Sequence, residues 1–202
     1  MPPFEIPDSV KAYFTDQATR SVVDALASKL DDPNFPDMDR GKLISLNEGV
    51  VLACQVRADF IAFMASLWSH TFGAALVEMN LYEEFPESCT INEIWSEGYF
   101  WSYVSNEPEF EGPHFDLTVN IDDRSNEVSL RVWRYDGGEL KRFPPRIPKG
   151  WTRRADEDGS QRIETNNTVA LKSLLEAPDE EVAKLRTAAD EVVQFVAERL
   201  GG

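Results

Sequence analysis

The sequence predicts a fold of the α+β class, with helices placed before and after an antiparallel sheet built from hairpins. Three observations carry that prediction. Apolar residues recur at helical spacing before residue 80 and again after residue 178; apolar and polar residues alternate through 114–122 and again through 127–133; and Asn, Asp, Gly and Pro mark turns between the alternating runs. With 202 residues, 42% of them hydrophobic and 11% aromatic, the chain can bury a substantial core, and a single domain over 1–202 is expected.

Asp8 or Ser9 is placed to cap a first helix reaching about Leu30, along which Val10, Phe14, Val22 and Leu26 recur at helical spacing. The stretch DDPNFPDMDRG, 31–41, breaks it. Ser45-Leu46-Asn47-Glu48 has the form of a capping box, so a second helix is expected to begin near Leu46 and to run almost to Asn80, with Gly73 as a plausible break. Within it, FIAFMASLWSHTFGAALV, 60–77, holds no charged residue. Eighteen residues of helix span about 27 Å, the lower limit for a bilayer. One such segment followed by soluble-looking hairpins favours a buried core helix over a membrane span. At 100° per residue, Cys54, Ala58, Ala62, Ser66, Ser69 and Gly73 share a narrow face of small side chains, with Phe60, Phe63, Met64, Leu67 and Ala74 opposite. That strip predicts a close-packed neighbour and permits a homodimer. His70, beside it, is expected to be buried and hydrogen-bonded.

A sheet of about four or five strands is expected to follow. Tyr99–Ser105 reads as a strand. In HFDLTVNID, 114–122, Phe115, Leu117, Val119 and Ile121 take one face and His114, Asp116, Thr118 and Asn120 the other. In EVSLRVW, 127–133, Val128, Leu130 and Val132 oppose Ser129, Arg131 and Trp133. A four-residue turn at 123–126 sets Ile121 opposite Val128, Val119 opposite Leu130 and Leu117 opposite Val132, the register that keeps both apolar faces together. Asp158-Gly159 signals a type I′ hairpin that pairs Arg153 with Glu164 and Thr152 with Thr165. After Pro178, a last helix carries Val182, Leu185, Ala189, Val192, Val193, Val196 and Leu200 on one stripe, with Glu181, Lys184, Asp190, Glu191 and Glu198 outward.

The formal net charge is −16, unevenly spread. Residues 58–123 contain thirteen Asp or Glu and no Lys or Arg, whereas 124–172 contain eleven basic and seven acidic residues. An acidic field of this size steers basic partners and repels nucleic acid, so nucleic acid is not expected as a partner, and the single apolar segment with soluble-looking hairpins after it leaves no membrane partner expected either. The basic segment 141–154 is proline-rich and carries Phe143 and Trp151, which suits stacking on single-stranded nucleic acid, but an internal clamp onto the acidic block fits the overall charge better. Two cysteines and no leader-like N-terminal pattern point to a reduced, cytoplasmic, soluble protein. With two histidines and no Gly-rich phosphate loop, HExxH, CxxC pair or nucleophile elbow, no metal or cofactor is expected and catalysis is not favoured.

The first functional reading is therefore a non-enzymatic acidic protein that binds a basic protein, as an inhibitor, immunity factor, chaperone or phage-type antagonist would. The alternative is a small enzyme or ligand-binding domain. Its residues would be His114, Asp116 and Arg131 on the polar sheet face, where a carboxylate can orient an imidazole and a guanidinium can hold an anion. Trp133 and Arg131 would then lie near Asp116 and Thr118. Trp95, Tyr99, Trp101 and Tyr103 add a ring cluster among Glu93, Glu97, Glu107, Glu109 and Glu111, suited to a cationic ligand.

Overall fold

Helix breaks near the N-terminus follow from single residues. The computed structural model describes residues 3–30, 40–85, 91–108, 112–122, 125–155 and 159–201. Pro7 precedes α1 (Asp8–Thr15), and Asp16, with extended backbone, separates it from α2 (Gln17–Leu30). The Asp16 carboxylate accepts from the Ala18 and Thr19 amides, at 3.1 and 3.3 Å, and from the Thr19 hydroxyl, which holds its pKa below the ordinary value. One continuous helix to Leu30 was expected; the non-helical residue resets the phase, so Val23 is buried and Val22 is 57% exposed. Ser9 does not cap α1. Its hydroxyl donates to Asp59 at 2.5 Å.

The chain divides into two compact units, Glu5–Phe63 and Met1–Phe4 with Met64–Gly202. Helix α3 (Arg40–Glu78) contributes to each. It starts before the expected capping box, which lies inside it, and passes through Gly73 without a break. Most of DDPNFPDMDRG lies outside the described residues. By length and composition Glu48–Glu78 could cross a membrane, a measure that core helices of soluble proteins also meet. Phe60, Phe63, Met64, Leu67, Trp68 and Phe72 are buried. The strip of small residues corrects the expectation of a close-packed neighbour: Cys54, Ala58, Ala62 and Ser69 are exposed, and Ser66 and Gly73 half-buried. Bulky side chains gain more from burial than small ones, and they take the inner face.

In the larger unit the helices cover one face of an antiparallel sheet. Its strands are β1 (Tyr82–Glu84), β2 (Tyr99–Ser105), β3 (His114–Asp122), β4 (Glu127–Asp136), β5 (Glu139–Leu140), β6 (Trp151–Ala155), β7 (Gln161–Thr165) and β8 (Val169–Ala170). The order is β1-β2-β3-β4-β7-β6, and the far edge of β4 is met in turn by β8, β7 and β5. The three extra strands beyond the expected number are two or three residues long, too short for alternation to signal. Ile121, Val119 and Leu117 oppose Val128, Leu130 and Val132, as the alternation predicts.

The second hairpin differs from expectation by one residue. Thr152 faces Glu164 and Arg153 faces Ile163, because five residues rather than two separate Ala155 from its partner Gln161. Asp158 lies outside the described residues.

Alternate residues of β2, β3 and β4 build the core face: Phe100, Val104, Phe115, Leu117, Val119, Leu130 and Val132 are all buried. The Trp68 indole N–H donates to the Leu117 carbonyl at 2.7 Å, pinning α3 to the central strand. Helices α5 (Leu171–Glu176) and α6 (Pro178–Leu200) complete the layer. Pro178 sits in the first turn of α6, where its missing amide costs nothing, and every residue of the expected stripe is buried. Glu181, expected outward, is 8% exposed and paired with Lys184 at 2.6 Å. Arg186 on α6 donates to the His70 carbonyl at 3.0 Å. The His70 ring is half-buried, with Nδ1 2.9 Å from the Ser66 carbonyl oxygen.

Candidate functional site

Strand pleating sends every second residue of β2, β3 and β4 to the face away from the helices, and the register arranges those residues in rows. Tyr103, Asp116, Trp133 and Arg162 lie side by side across β2, β3, β4 and β7. The next row is Trp101, Thr118, Arg131 and Glu164, and the one after begins with Tyr99, Asn120 and Ser129. On the other flank His114 faces Tyr135.

Gly98 fixes where this face starts. It closes α4 (Ile91–Glu97) in the left-handed region at φ 65°, and its carbonyl accepts from the Ile121 amide at 2.7 Å. A Cβ there would lie 2.7 Å from the Ile121 carbonyl oxygen, so only glycine fits.

The rows enclose an open cavity of about 390 Å³ lined by Tyr99, Trp101, Tyr103, Asp116, Thr118, Arg131, Trp133, Tyr135 and Arg162. Its size is within the range of small-molecule sites. The alternation suggests a polar sheet face open to water, but its centre is buried: His114, Asp116, Thr118, Asn120 and Ser129 are each at most 9% exposed. Large rings on the flanking strands explain this. Tyr99 packs on Trp101 with centroids 5.0 Å apart, and the His114 imidazole stacks on Tyr135 at 5.1 Å and meets the Tyr103 ring edge-on at 5.2 Å.

Asp116 is the carboxyl in the lining. One oxygen accepts from the Thr118 hydroxyl at 2.7 Å. Burial pushes its pKa from 3.8 up to about 7, with the Thr118 hydrogen bond acting in the opposite direction. Burial also raises the Tyr135 phenol, and the Asp116 charge and then Tyr103 add to that shift.

On the strands beside β3, three guanidinium groups from β4, β6 and β7 converge on the Glu164 carboxylate. Arg131 Nε is 3.2 Å from Glu164 Oε1; Arg154 Nε and Arg162 Nη2 are 3.6 and 4.0 Å from Oε2. Burial and the like charge of Arg131 lower the Arg162 pKa, which Glu164 partly offsets. The Arg162 guanidinium lies 5.8 Å from the centroid of the Trp133 ring. These contacts lie inside the basic block. Phe143 and Trp151, read as candidates for base stacking, are buried.

Of the residues singled out in the sequence, Tyr99, Trp101, Tyr103, Asp116 and Arg131 meet in this cavity, and Trp133 stands opposite Asp116 as the alternation requires. His114 touches two lining rings without lining the cavity itself, its Nδ1 3.0 Å from the Gly112 carbonyl oxygen. Trp95 lies on α4, away from the lining. Glu97 and Glu107 are exposed and are not among the residues that line the cavity, while Glu93, Glu109 and Glu111 lie outside the residues whose side chains are described. Tyr135 was within reach of sequence reasoning by extending the β4 alternation two residues. Arg162 was not, because the pairing of β7 with β4 is non-local. Among the described residues, no group of three or more His, Cys, Asp or Glu side chains is placed to hold a metal ion. Comparison of the chain with protein-family models, with curated proteins and with solved structures finds no match.

Proposed function

We propose that the protein binds a small molecule in the aromatic cavity on the open face of its sheet. The observation that carries this reading is Asp116, a buried carboxyl with a raised pKa at the floor of a ring-lined cavity. Holding its charge there lowers stability, and sites that bind or react are where such a cost is retained. Tyr and Trp side chains suit the role because they offer rigid contact area at small entropic cost. The test is a chemically diverse fragment screen read by the indole N–H resonances of the tryptophans. Binders are expected to move Trp101 and Trp133 and to leave buried Trp68 unmoved. A screen in which no compound moves Trp101 or Trp133 would reject the reading.

A second reading, an acidic interaction protein for a basic partner, draws support from 77–85. Val77, Met79, Tyr82 and Phe85 are exposed there beside exposed Glu78, Glu83 and Glu84. A mixed apolar and acidic surface favours a basic protein with apolar anchors, and its association would weaken steeply with salt. Glu78, Glu83 and Glu84 changed together to Gln should abolish low-salt retention of such a partner; unchanged retention would reject it.

A further inference from the structure

Resting on the small-molecule reading above, we infer that the ligand is an aromatic molecule held by donating an N–H or O–H to the open carboxyl oxygen of Asp116. Asp116 sits in the middle of β3, between Tyr103 of β2 and Trp133 of β4, and lines the cavity. The residue is 9% exposed. One of its oxygens accepts from the Thr118 hydroxyl, and among the described residues no other group bonds or pairs with the carboxyl. A carboxylate has room for about four hydrogen bonds, and a buried one ordinarily fills them. The second oxygen is therefore an acceptor that the fold leaves open.

The neighbouring polar groups do not supply the donor. Arg131 stands opposite Thr118, two positions along the face from the residue opposite Asp116, and its Nε is 3.2 Å from Glu164 Oε1. The Tyr135 phenol lies within electrostatic reach, since the Asp116 charge raises its pKa, yet the hydrogen bond to Asp116 comes from Thr118. Burial with so little compensation is what lifts the Asp116 pKa as well. A ligand donor completes the carboxylate in surroundings that hold little water, where such a bond is strongest.

The rest of the lining selects the body that carries the donor. Five of the nine lining residues are Tyr or Trp. Their rings meet at wide angles, 51° between Tyr99 and Trp101 and 66° between Tyr103 and Tyr135. An aromatic ligand can stack on one such ring while meeting another edge-on, the two arrangements that ring quadrupoles favour. A ligand that only accepts hydrogen bonds finds no counterpart at Asp116 once the carboxyl is ionised.

The test compares three two-ring probes on the full chain at pH 8.5, where Asp116 is ionised: benzimidazole, which has a ring N–H, benzoxazole, in which oxygen replaces it, and 1-methylbenzimidazole, in which a methyl group blocks it. Kd is read from the Trp101 and Trp133 indole N–H shifts. Benzimidazole is expected to bind about tenfold more tightly than either analogue, the scale of one charge-assisted hydrogen bond. Asp116→Asn exchanges the carboxylate for an uncharged amide and should bring benzimidazole to about the affinity of benzoxazole; its indole spectrum establishes that it is folded. The inference is overturned if benzoxazole binds the wild type as tightly as benzimidazole, or if the Asn variant keeps the full preference. It is equally overturned if all three probes fail while other fragments move Trp101 and Trp133, an outcome that leaves the small-molecule reading intact. If no compound of any kind moves those indoles, that reading fails as well.

Discussion

Replacing Asp116 by Asn is expected to stabilise the protein at neutral and alkaline pH. The folded-state pKa lies above the ordinary 3.8, at about 7, so the folded protein holds a proton that the unfolded chain releases. The sign follows from linkage: a group that binds its proton more tightly when folded contributes stability below the unfolded pKa and loses it as pH rises through the folded one. At about 1.4 kcal/mol per pH unit, the rise from 3.8 to about 7 corresponds to a loss of about 4 kcal/mol, complete above pH 8. Asn keeps the shape and can still accept from Thr118, but carries no charge to desolvate. The sequence isoelectric point is about 4.5, so the comparison is best made from pH 5.5 upward. There the variant should exceed the wild type by about 2 kcal/mol, growing to about 4 kcal/mol by pH 8.5. In a domain of this size each kcal/mol moves Tm by about 2–4 °C, so thermal unfolding followed by near-ultraviolet circular dichroism resolves the change. An Asn variant no more stable than wild type at pH 8.5, or a gap independent of pH, would refute the account of Asp116.

Three further outcomes follow from the packing. Thr118→Val removes the hydrogen bond that favours the Asp116 carboxylate, so the carboxyl should titrate higher than in wild type, visible in its side-chain carbon resonance. Trp68→Phe leaves the Leu117 carbonyl without its indole donor and opens a void beneath the central strand, and should cost about 2–4 kcal/mol in urea unfolding. Gly98→Ala drives a Cβ onto the Ile121 carbonyl in a left-handed conformation; a loss of at least about 1–3 kcal/mol is expected, with displaced indole resonances from Trp101.

Those residues also separate what was legible in the sequence from what was not. The β3–β4 register could be read because one face of each strand is uniformly apolar, and a slip by one residue would expose all of it. The stripe of α6 was clear for the same reason at helical spacing. The β6–β7 hairpin carries polar residues on both faces, so nothing but turn chemistry spoke for its register, and the Asp-Gly signal pointed to a loop three residues too short. Asp16 was read as one more helical position because a single capping residue leaves no trace in periodicity. The cavity was half-legible. Alternation placed Tyr99, Trp101, Tyr103, Asp116, Arg131 and Trp133 on the correct faces, whereas the convergence of Arg131, Arg154 and Arg162 on Glu164 depends on which strand lies beside β4, a tertiary fact.

The pH titration of the Asp116 carboxyl carbon by NMR bears most directly on the central claim. A midpoint near 7 is predicted for the free protein. A midpoint near 4, the ordinary value of an exposed carboxyl, would contradict the account.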